Sequence, residues 1–262
     1  MPSSPCEAAE PLAFGAPARR QTAWLGQWTY AHRGLHGAGV PENSPSAFAG
    51  AIARGLGIEC DVQRSADGQA MVFHDWELDR MTSEHGPVAA RNATELAAIA
   101  LQGSMDRIPS LAALLRQVGG QVPLLIEVKS RRSLDIAGIC AAVARDLSDY
   151  GGLHAVMSFD PRVCRWFSRH APEVVRGLVV TEEHDRGLVG SAKRHVAFWT
   201  SGADFLAYDL RDLPSRFPAV KRRRGVPVLT WTVRSPELAA RAEMYADAAI
   251  AEGAGVQEAP RA

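Results

Sequence analysis

The chain has 262 residues, 47% hydrophobic and 22% charged, which is enough apolar material for one large soluble domain with a sizeable core. Its 29 Lys and Arg balance its 29 Asp and Glu, so no basic field exists to attract nucleic acid or an anionic membrane. Cys6, Cys60, Cys140 and Cys164 show no C-x-x-C pairing, and no apolar run reaches the length of a membrane span. They point to neither a disulfide scaffold nor a cysteine zinc site, but to idle thiols in a reducing compartment.

Residues 1–22 contain acidic residues, prolines and no signal-like apolar core, so they read as a loose leader and residence is expected to be cytoplasmic. A single domain is expected over 23–262. Its first strand is "WTYAH" (28–32), followed by a helix with Ser44 as N-cap, Pro45 at the first position and Gly55 closing it at Arg54. "GIECDVQRS" and "AMVFHD" are strands flanking the tight-turn pair Asp67-Gly68. "ATELAAIAL" and "SLAALLRQV" read as helices, and "VPLLIEVKS" as a strand buried on both faces. Then the alternation becomes regular. Helices over 134–147, 161–170, 191–199, 215–224 and 236–245 are interleaved with "HAVMSF", "VVRGLVV", "FLAYDL", "VPVLTWTV" and "AAIAEG". Roughly eight β-then-α units in about 240 residues predict an α/β fold, a (β/α)₈ TIM barrel, with a small insertion at about 76–121. An open doubly wound sheet is the alternative, but no G-x-G-x-x-G follows the first strand.

A barrel of this kind carries its reactive groups at the C-terminal ends of its strands. His32 and Arg33 end the first strand, Glu59 and Asp61 the second, His74 and Asp75 the third, and Glu127 and Lys129 the strand "LLIEVK". Period two puts Glu59 and Asp61 on one strand face, and likewise Glu127 and Lys129. Singly, each would more often be a salt-bridged or satisfied polar residue. Jointly they form a pattern, because apolar strands repeatedly end in ionisable groups. Three carboxylates in a partly desolvated site repel unless a cation joins them. Mg²⁺ or Ca²⁺ suits such oxygen ligands, with Mn²⁺ or Zn²⁺ less favoured despite the nearby histidines.

The ordered motifs "HRG" (32–34), "PENS" (41–44), "ECDV" (59–62), "VFHD" (72–75), "LDRMT" (78–82), "IPSL" (108–111), "EVK" (127–129) and "LTWTV" (229–233) resemble the glycerophosphodiester phosphodiesterase family. That family is a branch of the phosphatidylinositol-phospholipase-C-like barrels. The resemblance implies acid–base roles for His32 and His74, metal binding by Glu59, Asp61 and Glu127, and phosphate contacts from Arg33 and Lys129. It also places an aromatic near the pocket, which makes Trp231 a substrate-binding candidate, although the residue by itself reads slightly more as core packing. The segment 76–121 resembles the family's small cap over the mouth. Ser44, Met81, Arg234 and "IAEG" depart from the family pattern, the last two near the leaving-group side.

The implied function is metal-dependent hydrolysis of glycerophosphodiesters, such as glycerophosphocholine or glycerophosphoethanolamine, to glycerol 3-phosphate and an alcohol. Alternatives are a lysophospholipase-D-like enzyme on lipid diesters and a barrel that binds diesters without turnover. A small-molecule substrate is expected, with no nucleic acid partner and no stable membrane insertion; oligomeric state is open. Imidazoles suit proton transfer near neutral pH, and either histidine fits either role. Attack by water and attack by the neighbouring glycerol hydroxyl both remain open. In "PENS" the residues read as loop-shaping, and His36 as a chance neighbour of the mouth. "KRRRG" (221–225) reads as a helix C-terminus, and His154, His170, His184 and His195 as surface or packing residues.

Overall fold

Eight parallel strands close on themselves: β1 (Tyr30–Ala31), β2 (Gly57–Arg64), β4 (Leu124–Val128), β5 (His154–Ser158), β6 (Val175–Val180), β7 (Phe205–Asp209), β8 (Val228–Val233) and β9 (Ala248–Ala251). Closure comes from β1, which pairs with β2 on one side and β9 on the other. The molecule is thus the expected (β/α)₈ barrel, here a computed structural model that describes residues 22–131, 135–183 and 185–256. Apart from Thr22, the leader read over 1–22 lies outside the described residues, as do Cys6, Leu134 and His184.

Helices α1 (Pro45–Ala53), α2 (Ala93–Leu96), α3 (Leu111–Val118), α4 (Ile136–Leu147), α5 (Pro161–His170), α6 (Leu188–Ser201), α7 (Arg216–Arg223) and α8 (Pro236–Tyr245) fill the connections. Local chemistry sets their ends. Ser44 Oγ accepts from the Ala47 N–H at 3.1 Å, and Pro45 opens α1. Asp160 and Ser235 cap α5 and α8 in the same way, each ahead of a proline. The cations of "KRRRG" occupy the last turn of α7, as a helix C-terminus predicts, and Arg222 also pairs with Asp247 at 2.7 Å.

Period two sorts each strand between two cores. Ile58, Cys60 and Val62 of β2, with Leu124, Ile126 and Val128 of β4, face the helices. Leu125, Ala155, Met157, Val179, Phe205 and Leu229 fill the barrel interior. Full burial of a large aliphatic side chain contributes roughly 1.5–3 kcal/mol. Gly177 of β6 is required by that interior: a Cβ there would lie 2.2 Å from the Phe205 ring.

The third strand departs from the barrel pattern. β3 (Ala70–Val72) pairs antiparallel with β2, Val62 opposite Val72, so it is a hairpin arm outside the barrel. β2 runs on past the rim, turns at Asp67-Gly68 and returns. The helix expected over 93–101 stops at Leu96. Ile99 and Leu101 turn inward to a separate cluster with Met71, Phe73, Leu78, Val88 and Ile108, and this burial overrides the helical propensity of the run. The same cluster anchors the connection between β3 and α3, whereas α3 itself packs on α1 and α4 in the outer helical layer. None of the described helices is long and apolar enough to cross a membrane.

Candidate active site

At the C-terminal ends of the strands the inward positions become ionisable. Glu59 and Asp61 follow Gly57 on the inward face of β2, and Glu127 follows Leu125 on β4, with Asp61 directly beside Glu127 in the ladder. One oxygen from each of Glu59, Asp61 and Glu127 lies within 4.8 Å of the others, and all three are buried. The loop after β1 adds Arg33, whose N–H donates to Glu59 Oε2 at 3.0 Å and whose Nε lies 3.2 Å from Asp61 Oδ2. Lys129, just past β4, reaches Glu127 Oε1 at 3.0 Å and Asp61 Oδ1 at 3.4 Å.

The loop holding Arg33 folds tightly against α1. Arg33 and Asn43 both take the left-handed conformation, at φ 55° in each case. Gly34, at φ 79°, lies so close to α1 that a Cβ would fall 2.8 Å from the Ala47 Cβ. Asn43 tolerates its conformation and uses it, donating Nδ2–H to Asp61 Oδ2 at 3.0 Å. "PENS" therefore does more than shape a loop. Glu42 accepts from Arg33 Nη1 at 2.8 Å, and Asn43 orients Asp61.

His74 arrives by the hairpin. Two residues beyond β3, it lies at the mouth because β3 runs back along β2, with Phe73 N–H bonded to Asp61 O at 3.0 Å. Its Nδ1 is 2.7 Å from Asp75 Oδ1. Arg80, from the connecting segment, donates to both Asp75 oxygens and to Glu42 Oε1 at 2.6 Å. The chain Arg33–Glu42–Arg80–Asp75–His74 thus spans the mouth. On the opposite side, His32 Nε2 lies 4.0 Å from Glu59, and its Nδ1 is 2.5 Å from Glu252 Oε2 at the end of β9. Arg234 Nε donates to the other Glu252 oxygen at 2.6 Å.

Burial, reinforced by Asp61 and Glu127, pushes the Glu59 carboxyl well above the usual carboxylate range. Burial also raises Glu127, although Lys129 opposes it. At Asp61 burial is outweighed by Lys129 and Arg33, which hold it low. Burial lowers His74, which favours a neutral ring. Glu252 is held well below the carboxylate range, chiefly by its hydrogen bond with His32. Three buried carboxyl groups, two of them hard to ionise without a further cation, form an oxygen donor set that fits a hard divalent ion.

His32, Arg33, Glu59, His74, Glu127 and Lys129 line a cavity of about 370 Å³, its far wall formed by Phe159, Trp231, Asp209, Arg211 and Arg234. Trp231 is half-buried: its Nε1–H donates to Ala207 O at 3.0 Å, and its ring meets Phe159 edge-on at 5.5 Å. It therefore both packs and faces the cavity. A larger hollow of about 890 Å³ opens at the other end of the barrel, where, among the described residues, Arg222, Glu243 and Asp247 are the ionisable lining groups and no imidazole converges. His154, His170 and His195 bond nearby backbone carbonyls through Nδ1, away from the mouth.

Glu42, Asn43, Arg80 and Glu252 were not singled out as site residues from sequence, and Asp75 appeared only as a strand end. An acid closing the last strand beside the first was the available signal for Glu252. His36 also reaches the mouth, its Nε2 3.5 Å from Glu252 Oε2.

A closed parallel barrel whose carboxylates, imidazoles and cations converge at the strand C-termini is built as an enzyme of the TIM-barrel class. The model of the glycerophosphoryl diester phosphodiesterase family matches residues 32–257. The chain belongs to this family of hydrolases. It is 30% identical over 217 residues to the glycerophosphodiester phosphodiesterase of Caldanaerobacter subterraneus subsp. tengcongensis, covering 79% of this chain and 86% of the relative. Among solved structures, a phosphodiesterase of Oleispira antarctica in complex with the product sn-glycerol-3-phosphate superposes with a TM-score of 0.74 at 22% identity, covering 86% of this chain and 92% of that one. The Thermotoga maritima glycerophosphodiester phosphodiesterase gives 0.69 at 22% identity, covering 85% and 93%. Both likenesses establish the barrel. Members of the family generally depend on a divalent metal.

Proposed function

We propose that the protein hydrolyses small glycerophosphodiesters, such as glycerophosphocholine or glycerophosphoethanolamine, to glycerol 3-phosphate and an alcohol in the cytoplasm. Residues 23–262 act as one catalytic unit, and the segment 76–121 serves as its cap. The observation that carries this reading is the buried trio Glu59, Asp61 and Glu127 with an imidazole on either side, His32 and His74. The glycerol 3-phosphate held by the Oleispira antarctica barrel supports the product.

Glu59, Asp61 and Glu127 would hold Mg²⁺ or Ca²⁺, which when bound offsets phosphoryl charge as a Lewis acid. Arg33 and Lys129 flank the trio and bind the phosphoryl oxygens. His32 and His74, on opposite sides, exchange protons with the nucleophile and the leaving oxygen, each oriented through Nδ1 by a carboxylate, Glu252 or Asp75. Phe159, Trp231 and Arg234 face the departing alcohol.

The test is release of glycerol 3-phosphate from soluble and lipid diesters, with and without chelator. Turnover of soluble diesters that EDTA abolishes and Mg²⁺ or Ca²⁺ restores is expected, with His32→Ala and His74→Ala each losing at least ~10²-fold in kcat. Preference for lipid diesters would replace the substrate, and diester binding without turnover would remove the catalytic reading.

A further inference from the structure

His36 takes no part in the carboxylate trio or in the cations beside it. Its Nε2 is buried and makes no hydrogen bond among the described residues, yet it faces Glu252 Oε2 at 3.5 Å. The same oxygen is 2.5 Å from His32 Nδ1. One donor atom from each of His32, His36 and Glu252 falls within 4.8 Å of the other two. We infer that these three side chains form a second metal site, selective for a borderline-soft ion such as Zn²⁺, whose occupation inhibits the enzyme.

The donor sets separate the two sites chemically. Glu59, Asp61 and Glu127 offer oxygens only, which suits hard ions, whereas two imidazoles and one carboxylate suit Zn²⁺ and leave a fourth position for water. Tetrahedral zinc with bonds of about 2.0–2.2 Å holds its donors roughly 3.4 Å apart. The His36–Glu252 separation already has that value. The His32–Glu252 contact must open by about 1 Å as the shared proton leaves for solvent, to give the donor spacing of a zinc site.

Little ordering is needed. His32 N–H is bonded to Ala251 O at 2.8 Å and His36 N–H to Gly34 O at 3.0 Å, so both ligands stand on anchored backbone. Arg234 binds Glu252 Oε1 at 2.6 Å, which pins the carboxylate and leaves Oε2 to the histidines. The nearby guanidinium opposes a dication, so affinity should fall in the micromolar range rather than that of a structural zinc site.

Inhibition follows from the tautomer. With zinc in place of the Nδ1 proton, the neutral His32 ring takes up a proton from solvent at Nε2, which faces Glu59 and the cavity. That nitrogen can no longer accept a proton, and losing its own would require an imidazolate. Either proton-transfer role is blocked. This consequence rests on the role proposed for His32; the binding site does not.

Two measurements test the inference. Equilibrium dialysis of Zn²⁺ against a Glu59→Gln/Glu127→Gln enzyme, with folding checked by circular dichroism, should find one bound ion, and adding His36→Gln should weaken it at least ~10-fold. In wild-type enzyme saturated with Mg²⁺, Zn²⁺ should inhibit glycerol 3-phosphate release, and His36→Gln should raise the inhibitory concentration at least ~10-fold while zinc-free turnover stays near wild type. Zinc binding or inhibition insensitive to His36→Gln would overturn the site. Absence of turnover on every diester would instead overturn the proposed function, and dialysis would still decide the zinc site.

Discussion

His32 Nδ1 and Glu252 Oε2 lie 2.5 Å apart across the seam where β1 meets β9, the first and last strands of the barrel. Barrel closure therefore orients the histidine. The carboxylate fixes a proton on Nδ1, which leaves Nε2 free toward the cavity and stabilises an imidazolium when one forms. Glu252→Gln keeps an acceptor but removes the charge, so kcat should fall about 10–10²-fold with KM little changed. Unchanged kcat would reduce the pair to a structural contact.

Asp75 stands to His74 as Glu252 does to His32, with Arg80 behind it. Burial opposes ionisation there, but Arg80 and His74 hold the carboxyl at about 2. A depressed acid contributes stability above its unfolded pKa of about 3.9, and that contribution is lost only as pH falls through the folded value. The Asp75–His74 contact should then persist wherever imidazole chemistry operates. The kcat deficit of Asp75→Asn should be constant between about pH 5.5 and 8, and a deficit that vanishes within that range would place the titration elsewhere. Arg80→Ala should cost several-fold in kcat, with Arg80→Lys partly restoring it.

Glu59 carries the opposite sign. Its folded pKa is raised, so metal-free folded protein binds more protons than unfolded protein and gains stability as pH drops toward the unfolded value of about 4.3. In EDTA, Glu59→Gln should have a higher Tm than wild type at about pH 8, and the gap should narrow by about pH 5. Saturating Mg²⁺ should stabilise wild type and reverse the order. Thermal denaturation across that range decides it; a gap independent of pH would mean that Glu59 is not repelled in the folded state.

Lys129 and Trp231 serve different ends of the substrate in the proposed layout. Lys129 contacts Glu127 and Asp61 beside the expected phosphoryl position, so Lys129→Ala should slow all diesters by a similar factor, about 10²-fold. Trp231 meets Phe159 on the far wall, so Trp231→Ala should alter the ranking among head groups. Steady-state kcat/KM on choline, ethanolamine and glycerol esters separates these outcomes. Sharp head-group discrimination by Lys129→Ala, or uniform slowing by Trp231→Ala, would exchange the two assignments.

The sequence by itself determined the barrel and the three buried carboxylates. Both depend on local periodicity: β-then-α alternation, and the two-residue repeat that puts Glu59, Asp61 and Glu127 inward while Ile58, Cys60 and Ile126 face the helices. Gly57 and Gly177 kept their place on strands for a reason no single-sequence pattern displays, the aromatic rings packed against them. The Asp67-Gly68 turn announced the reversal, but only tertiary structure decided that β3 lies outside the barrel and carries His74 back to the mouth, because the hydrophobic run of an outer antiparallel strand reads like that of a barrel strand. It also decided the helper residues. Glu42 meets Arg80 and Glu252 meets His32 at separations of 38 and 220 residues, and such pairings follow from chain path and barrel closure rather than from spacing.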